Sequence, residues 1–355
     1  MSYIHKDSKD CNTNSKLLKE FHQISQDDVR LHQGQVYQKF RRAIHRTKCF
    51  DDVKQVLVGL SGGVDSAVLL HLLFAYYQKE NGPEVIALHV HHGQRGMESD
   101  RDQAVAREIA LQVGCKFESV QLEDVEVGAS ESQLRERRYF TFNQVAKKYN
   151  CPRIVLGHHM DDQVETFLYR LVRGSDLQGL ACMKIFRENL VRPLLECSRK
   201  EIEKLAEENE ITYVHDSSNF SNAQARNYIR NIVLPMLSSK LDPQVSKHLF
   251  DLTESISDVV EYIAIQASEI IEKIRIEPHG YAVSKLQKIH PALRRKAIHQ
   301  MYTHITKDKG SLSREQIEMI DRWMETPQSP KFLRLPSNIR VEKKQDVLRF
   351  SIIDE

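Results

Sequence analysis

The six cysteines, Cys11, Cys49, Cys115, Cys151, Cys182 and Cys197, are scattered over 355 residues, and no two make a C-x-x-C pair. That absence argues against a structural zinc site and a cysteine-held iron–sulfur cluster, and scattered thiols suit a reducing, cytoplasmic compartment. No run approaches the ~18 consecutive apolar residues of a membrane span, and the polar, mixed-charge first residues contain no apolar core of a secretory leader. No membrane association is expected. Two phosphate-binding signatures are also missing. There is no G-x-x-x-x-G-K-S/T loop, so P-loop phosphoryl transfer is excluded. There is no G-x-G-x-x-G turn, which a dinucleotide fold would carry.

What is present begins at Leu60. The apolar run Gln55 to Leu60 ends in Ser61-Gly62-Gly63-Val64-Asp65-Ser66 and passes directly into a long apolar stretch. This order reads as strand, glycine turn and helix N-terminus. Paired glycines let backbone N–H groups approach a phosphate with no Cβ in the way. The helix start adds unpaired donors and the positive end of its dipole. The bland reading is a tight turn; the order of strand, serine-bearing glycine loop, Asp and helix favours a phosphate cradle.

The length allows two or three domains with a sizeable core, and a hydrophobic content of 41% is ordinary. The net charge of +2 conceals an uneven distribution. Residues 1–50 hold ten basic and five acidic residues, and 241–270 hold one basic and six acidic. Residues 271–350 hold seventeen basic against nine acidic, which suits a polyanion partner or simply a solvated charged surface.

Residues 1–50 read as an N-terminal extension, partly disordered or helical, with a basic helical face at Lys39, Arg41, Arg42 and Arg46. From Val53, strand-like runs (56–60, 85–90, 117–122, 154–156) alternate with helical stretches (65–77, 99–113, 131–149). That alternation predicts an α/β domain over 51–237, a parallel Rossmann-like sheet with helices on both faces. Ligands of such sheets sit at the carboxyl ends of the strands. Ser198 and Glu201 read as a capping box. Pro235 reads as the end of a helix, with the domain boundary near it. Residues 241–275 read as a long helix with an acidic face. Two short strands follow, 340–342 and 347–352, about a Lys-Lys-Gln-Asp turn. Residues 238–355 are therefore expected to form a helical linker and a smaller C-terminal α+β domain.

Chemically loaded residues gather where strands end. His91, His92 and Arg95 follow the second strand and are expected on a loop facing the cleft, whereas His89 reads as buried in the strand. The fourth strand is followed by Gly157-His158-His159-Met160-Asp161-Asp162-Gln163-Val164-Glu165. Asp162 and Glu165 are three apart on one helical face and suit a magnesium ion or an ammonium group; carboxylates at a helix start also serve as dipole partners. The two histidines favour function over that bland use. Arg135 and Arg138 share a face and can offset phosphate charge during nucleotidyl transfer. The alternative is a surface helix with a Glu131–Arg135 pair. Arg226 and Arg230 are four apart, so both forks are expected to point one way toward phosphate oxygens. Arg192, before Pro193, is a further cation candidate.

These segments together resemble the tRNA(Ile)-lysidine synthase family of PP-loop ATP pyrophosphatases. The resemblance runs through S-G-G-V-D-S, LHVHHGQR, ESQLRERRY, LGHHMDDQVET, RLVRGSDLQGL, VRPLLECSRKEI and DSSN with ARNYIRN, covering roughly residues 53–237. It is weaker over KFLRLPSNIRV, and residues 1–50 match no counterpart. The S-G-G-x-D-S loop marks only the superfamily; the two-histidine, two-aspartate segment with the R-N-x-x-R helix is more specific. The resemblance implies an adenine nucleotide alpha hydrolase-like fold and a carbon–nitrogen ligase using ATP and Mg2+. It also implies a tRNA(Ile) substrate with a CAU anticodon and L-lysine as the second substrate. The wobble cytidine would be adenylated at its carbon-2 oxygen and then attacked by the lysine ε-amine. Ser61, Gly62, Gly63, Val64, Asp65, Ser66, His91 and Gly157 would hold the nucleotide, with Asp65 on the metal. His158, Asp162 and Glu165 would hold lysine. Asp65, Arg135, Asp162, Glu165, Arg226 and Arg230 would carry the chemistry, the basic C-terminal part would grip tRNA, and a homodimer is implied.

Three alternatives have specific signatures. A tRNA 2-thiolating PP-loop enzyme would share the adenylation and normally carries paired cysteines. A non-catalytic RNA-binding protein would not need Asp65, Asp162 and Glu165. GMP synthetase-like or asparagine synthetase-like activity would need a glutaminase region, and none is evident.

Overall fold

Strand β1 (Gln55–Gly59) sits inside a sheet, and its side chains alternate between two apolar cores. Val56 and Val58 enter one with helices α1 (Gln35–Thr47) and α2 (Val64–Glu80); Leu57 enters the other with Phe142, Val145 and Ala146 of α4 (Glu131–Lys148). Burial on both faces is what a continuous apolar strand signals. The structure, a computed structural model, describes residues 31–32, 34–91, 97–122, 131–214, 225–307, 310–326 and 331–353. His92, Arg95 and Asp216 to Asn219, singled out in the sequence, lie outside these residues.

Among the described residues, a six-stranded sheet runs in the order β3-β2-β1-β4-β6-β5. Its members are β1, β2 (Glu84–His91), β3 (Lys116–Gln121), β4 (Arg153–Val155), β5 (Phe186–Arg187) and β6 (Leu190–Val191). All neighbours pair in parallel except β5 with β6. Helix α3 (Met97–Val113) joins β2 to β3, α5 (Met160–Val172) follows β4, and α7 (Arg199–Glu208) follows the short α6 (Leu177–Leu180) and the β5–β6 hairpin. This is the expected α/β sheet with helices on both faces. The Ser198–Glu201 capping box forms, with Ser198 N–H on Glu201 Oε2 at 2.8 Å and Glu201 N–H on Ser198 Oγ at 3.3 Å. Glu201 also meets Lys39 of α1 at 2.7 Å, so part of α1's basic face is spent on the fold.

Two local expectations change. Pro235 does not end a helix. After α8 (Ala225–Tyr228) the backbone widens into a π turn over Ile229–Val233, and Pro235 lies in the first turn of α9 (Leu234–Lys240). Leu234 N–H closes the wide turn on Ile229 C=O. Proline lacks the N–H for the next bond and its ring crowds the carbonyl four residues back, so it suits the start of a new helical segment. In the C-terminal hairpin, Lys343 and Lys344 belong to the strand, and only Gln345 and Asp346 turn the chain.

The chain divides into two compact units, Met1–Tyr169 with Met183–Phe250, and Arg170–Cys182 with Asp251–Glu355. The second contains most of α10 (Val245–Ile274), then β7 (Arg275–Glu277), β8 (Gly280–Ala282), α11 (Val283–Gln287), α12 (Pro291–Thr306), α13 (Arg314–Glu325), β9 (Phe332–Leu335), β10 (Ile339–Lys344) and β11 (Val347–Ile352). Its sheet is antiparallel in the order β7-β8-β11-β10-β9, over a core that includes Tyr281, Tyr302, Trp323 and Phe350. The α+β expectation holds for this unit. No described helix is long and apolar enough to cross a membrane.

Candidate functional site

The loop after β1 is built for close backbone approach. Gly62 has φ +94, and a Cβ there would lie 3.2 Å from Asp102 C=O. Ser66 Oγ donates to Gly63 C=O at 2.9 Å and accepts Ser61 N–H at 3.1 Å; it stands 3.0 Å from Ser61 Oγ. Because the single Ser66 proton goes to Gly63, Ser61 O–H is the donor in that last pair. The two hydroxyls therefore brace the turn. Gly63 is the N-cap of α2 and supplies no side-chain cap, so the first-turn N–H groups of Val64, Asp65 and Ser66 have no intrahelical acceptor. Gly157, after β4, packs directly on this turn: a Cβ would fall 3.0 Å from Asp65 C=O and 3.2 Å from Ser66 N. The structure thus joins the β1 and β4 loops at one edge of the sheet, where backbone room is the limiting quantity.

His91 is corrected. It is not on a loop but is the last residue of β2, only 7% exposed. Its Nε2 lies 3.1 Å from Asp100 Oδ1, and its carbonyl accepts Leu122 N–H at 2.9 Å, so the β2–β3 pairing holds it in the sheet. His89 is buried as expected and its Nδ1 lies 2.9 Å from Leu60 C=O, which braces the start of the glycine loop.

The acidic and amide residues of the His-His-Met-Asp-Asp-Gln segment, and Glu165 after it, each have a distinct polar task. Asp161 Oδ2 accepts Arg199 N–H at 2.7 Å and so caps α7. Asp162 Oδ2 reaches back to His159 N–H at 3.0 Å, a cap for α5 itself. Gln163 is fully buried and clamps Met183 in both directions, Nε2 to C=O and Oε1 to N–H, each at 2.8 Å. Glu165, 4% exposed, takes the Arg230 fork, with Nε–Oε1 at 2.5 Å and Nη2–Oε2 at 2.9 Å. The same Nη2 lies 3.3 Å from Asp162 Oδ1. The helical spacing anticipates Asp162 and Glu165; the clamp and caps depend on distant partners that periodicity does not name.

His159 stands at the centre. Its Nε2 is 3.7 Å from Asp65 Oδ2 and 3.5 Å from Asp162 Oδ2, and its Nδ1 is 3.6 Å from Asp161 Oδ2. These are charge contacts, too long for hydrogen bonds. Burial opposes its charge, but Asp162, Asp161 and Asp65 outweigh burial and push it up to about 9. It is a cation at neutral pH. Burial also works against ionised Asp162, yet His159, with its backbone N–H, and Arg230 hold that carboxyl below its ordinary range. Asp65 and Glu165 go the other way: burial raises both, and Asp162 adds to the rise, against His159 and Arg230. Asp65 Oδ1 is buried and accepts no hydrogen bond.

The arginines do not behave alike. Arg230 faces the carboxylates, whereas Arg226 lies over the Tyr169 ring at 6.0 Å. The π turn between α8 and α9 breaks the four-residue repeat that would have aligned them. Arg135 donates to Tyr139 O–H at 3.2 Å and packs on that ring. His158, with Arg192, Arg135 and Arg138 around it, is depressed to about 3, first by burial and then by those cations, against the pull of Asp162. It is a neutral imidazole.

As a whole the site sets a loop of unpaired backbone N–H groups beside four carboxylates: Asp65, Asp161 and Asp162 gather around His159, and Glu165 is held by Arg230. A hard divalent cation fits Asp65, a carboxylate with one oxygen that accepts no hydrogen bond, together with phosphate oxygens and waters. No described cluster offers three protein ligands for a resident metal, so the ion suits arrival with a nucleotide.

A family model described as a PP-loop domain matches residues 33–237. The chain is 28% identical over 305 residues to the tRNA(Ile)-lysidine synthase of Clostridium tetani, covering 84% of this chain and 65% of that protein. It is 41% identical over 187 residues to the tRNA(Ile)-lysidine synthase of Pseudomonas syringae pv. tomato, covering 51% of this chain and 41% of that one. The chain thus spans under two thirds of the length of either relative. Among solved structures, a U34-tRNA thiolase from Methanococcus maripaludis, with its 4Fe–4S cluster, aligns with a TM-score of 0.52 at 22% identity, over 63% of this chain and 78% of that one. That likeness concerns the fold alone.

Proposed function

This chain belongs to the PP-loop family, and from that premise we propose that it makes lysidine on tRNA(Ile) with a CAU anticodon. The substrates are ATP with its magnesium, L-lysine and the tRNA. In the first step the carbon-2 oxygen of the wobble cytidine attacks the α-phosphorus of ATP, and pyrophosphate leaves. In the second, the lysine ε-nitrogen attacks carbon-2, loses a proton, and the carbon–oxygen bond breaks to release AMP. Adenylation is needed because a base carbonyl oxygen is a poor leaving group.

One observation supports this reading best: His159 links an acid on the phosphate loop, Asp65, to Asp162, and Arg230 links Asp162 in turn to Glu165. Nucleotide and amine would then meet across one imidazolium. The Ser61–Ser66 loop would take the pyrophosphate. Asp65 would hold the magnesium, which supplies charge neutralisation on the phosphates. Arg230 would hold the Glu165 plane by one lone pair on each oxygen, leaving the others for an ammonium group. Four carboxylates against His159 and Arg230 favour a cation there. Neutral His158 would not repel it. The amine must lose a proton, and burial makes Glu165 a stronger base than its ordinary value while it makes His158 a weaker one. The basic stretch 271–350 would grip tRNA phosphates, with a steep salt dependence. The family resemblance adds a homodimer in the cytoplasm.

The thiolation alternative has less support. Burial pushes Cys115 and Cys197 up to about 12 and Cys151 to about 11, and it raises Cys49. Sulfur transfer wants thiolates, and these thiols are held protonated. The test is incorporation of labelled lysine into a tRNA(Ile) transcript with a CAU anticodon. Label should appear only with ATP, and not on a transcript with a CAC anticodon. Sulfur incorporation without lysine would overturn the reading in favour of the thiolase.

A further inference from the structure

Arg192 follows β6 at the carboxyl edge of the sheet, beside the His158 loop that follows β4. It is only 6% exposed. Its Nη1 donates to Lys184 C=O at 3.1 Å, and its Nε is buried without a hydrogen-bond partner. Among the described side chains no carboxylate lies within ion-pair distance of it or of Arg135. Burial lowers its pKa, a side-chain hydrogen bond with Tyr139 opposes that, and the like charges of Arg135 and Arg187 lower it further.

A buried guanidinium in the second unit shows what this fold does when the role is structural. Arg294 is 8% exposed and meets Asp321, Glu325 and Gln287 C=O, the last at 3.0 Å. Burying a charge is costly unless it is paired. Arg192 is equally buried and meets no carboxylate among the described residues. It is nonetheless held firmly: its N–H donates to Ile185 C=O at 2.7 Å, and Gln163 clamps the adjoining Met183. A rigid, desolvated cation without a counter-ion is what an anionic ligand requires.

We propose that Arg192, with Arg135 beside Tyr139, forms a second phosphate subsite apart from the Ser61–Ser66 loop, and that it takes the α-phosphate that leaves as AMP. This rests on the lysidine-forming reading, and it divides the nucleotide between two sites. In the sheet order β1-β4-β6, Arg192 and the glycine loop follow strands two positions apart, about 10 Å at the usual spacing. The loop takes the pyrophosphate end; Arg192 takes the nucleoside monophosphate end and stays with it through the second step. A tRNA phosphodiester is the other source of the same chemistry.

The test is equilibrium binding of AMP, pyrophosphate and tRNA to the full chain, for the parent protein, Arg192→Met and Arg192→Lys. The expected result for Arg192→Met is an AMP affinity lower by about 30-fold, as for one charged hydrogen-bonding contact. Pyrophosphate and tRNA affinities should stay within about threefold, and the melting temperature should equal or exceed the parent's, because an unpaired buried charge is gone. Arg192→Lys should recover part of the AMP affinity. Unchanged AMP affinity overturns the proposal. Loss of tRNA affinity alone assigns the subsite to a phosphodiester and overturns the AMP assignment. A lower melting temperature with parallel loss of all three ligands makes Arg192 a structural residue. If the parent binds neither AMP nor pyrophosphate, the lysidine reading itself fails.

Discussion

Asp65→Asn is expected to lower AMP production by about 10³-fold or more while the protein folds at least as well as the parent. The two halves of this expectation share one cause. Asp65 is buried beside Asp162, and burial raises its pKa before any neighbour acts. Its Oδ1 accepts nothing, and its other oxygen stands 3.7 Å from His159. The fold therefore gains little from this charge, and replacing it with an isosteric amide relieves repulsion with Asp162. Catalysis loses the hard anionic oxygen that would hold magnesium against the phosphates, and such charge stabilisation accounts for several kcal/mol of a transition state. The check is AMP release in a complete reaction alongside a melting curve and a tRNA-binding isotherm. A melting temperature well below the parent's, or tRNA affinity falling with activity, would make Asp65 a folding residue.

Glu165→Gln should have the opposite stability signature. Glu165 is almost fully buried and accepts two bonds from Arg230, at 2.5 and 2.9 Å. Removing one partner of a buried pair is costly, typically about 3–5 kcal/mol; Arg230 keeps 24% side-chain exposure and the 3.3 Å contact to Asp162, so the lower end applies. The melting temperature should fall. At a temperature where the variant is folded, the KM for lysine should rise about 10²-fold, as expected for truncating a desolvated charge contact, with the KM for ATP changed much less. Steady-state kinetics with each substrate varied in turn decides it. A rise in the KM for ATP with that for lysine unchanged would put Glu165 on the nucleotide side.

The contrast between these carboxylates also marks what the sequence makes legible. Both fall on motif positions that spacing alone brings forward, because a glycine turn and a three-residue helical interval are local facts. The parallel sheet is legible for the same reason: its strands are short apolar runs separated by helical stretches. What depends on distant partners is not. Nothing local tells Asp161, which caps α7, from Asp162, which meets Arg230. Gln163 resembles a spacer until Met183 is placed against it. His91 looks like a loop residue because the strand continues one turn of the pleat farther than its apolar pattern. Arg226 and Arg230 part company because the chain widens by one residue ahead of Pro235. The two-residue strands β5 and β6 carry no periodicity at all, and they position Arg192. The grouping of Arg170–Cys182 with the second unit is equally silent in the sequence.

The central claim is that the cytidine oxygen, once joined to AMP, is displaced by lysine. A tRNA(Ile) carrying ¹⁸O at carbon-2 of the wobble cytidine tests it directly. After one turnover with unlabelled ATP and lysine, mass spectrometry should find the ¹⁸O in the phosphate of AMP, with lysine bonded through its ε-nitrogen at carbon-2. Unlabelled AMP, with the ¹⁸O retained in the tRNA, would contradict the account.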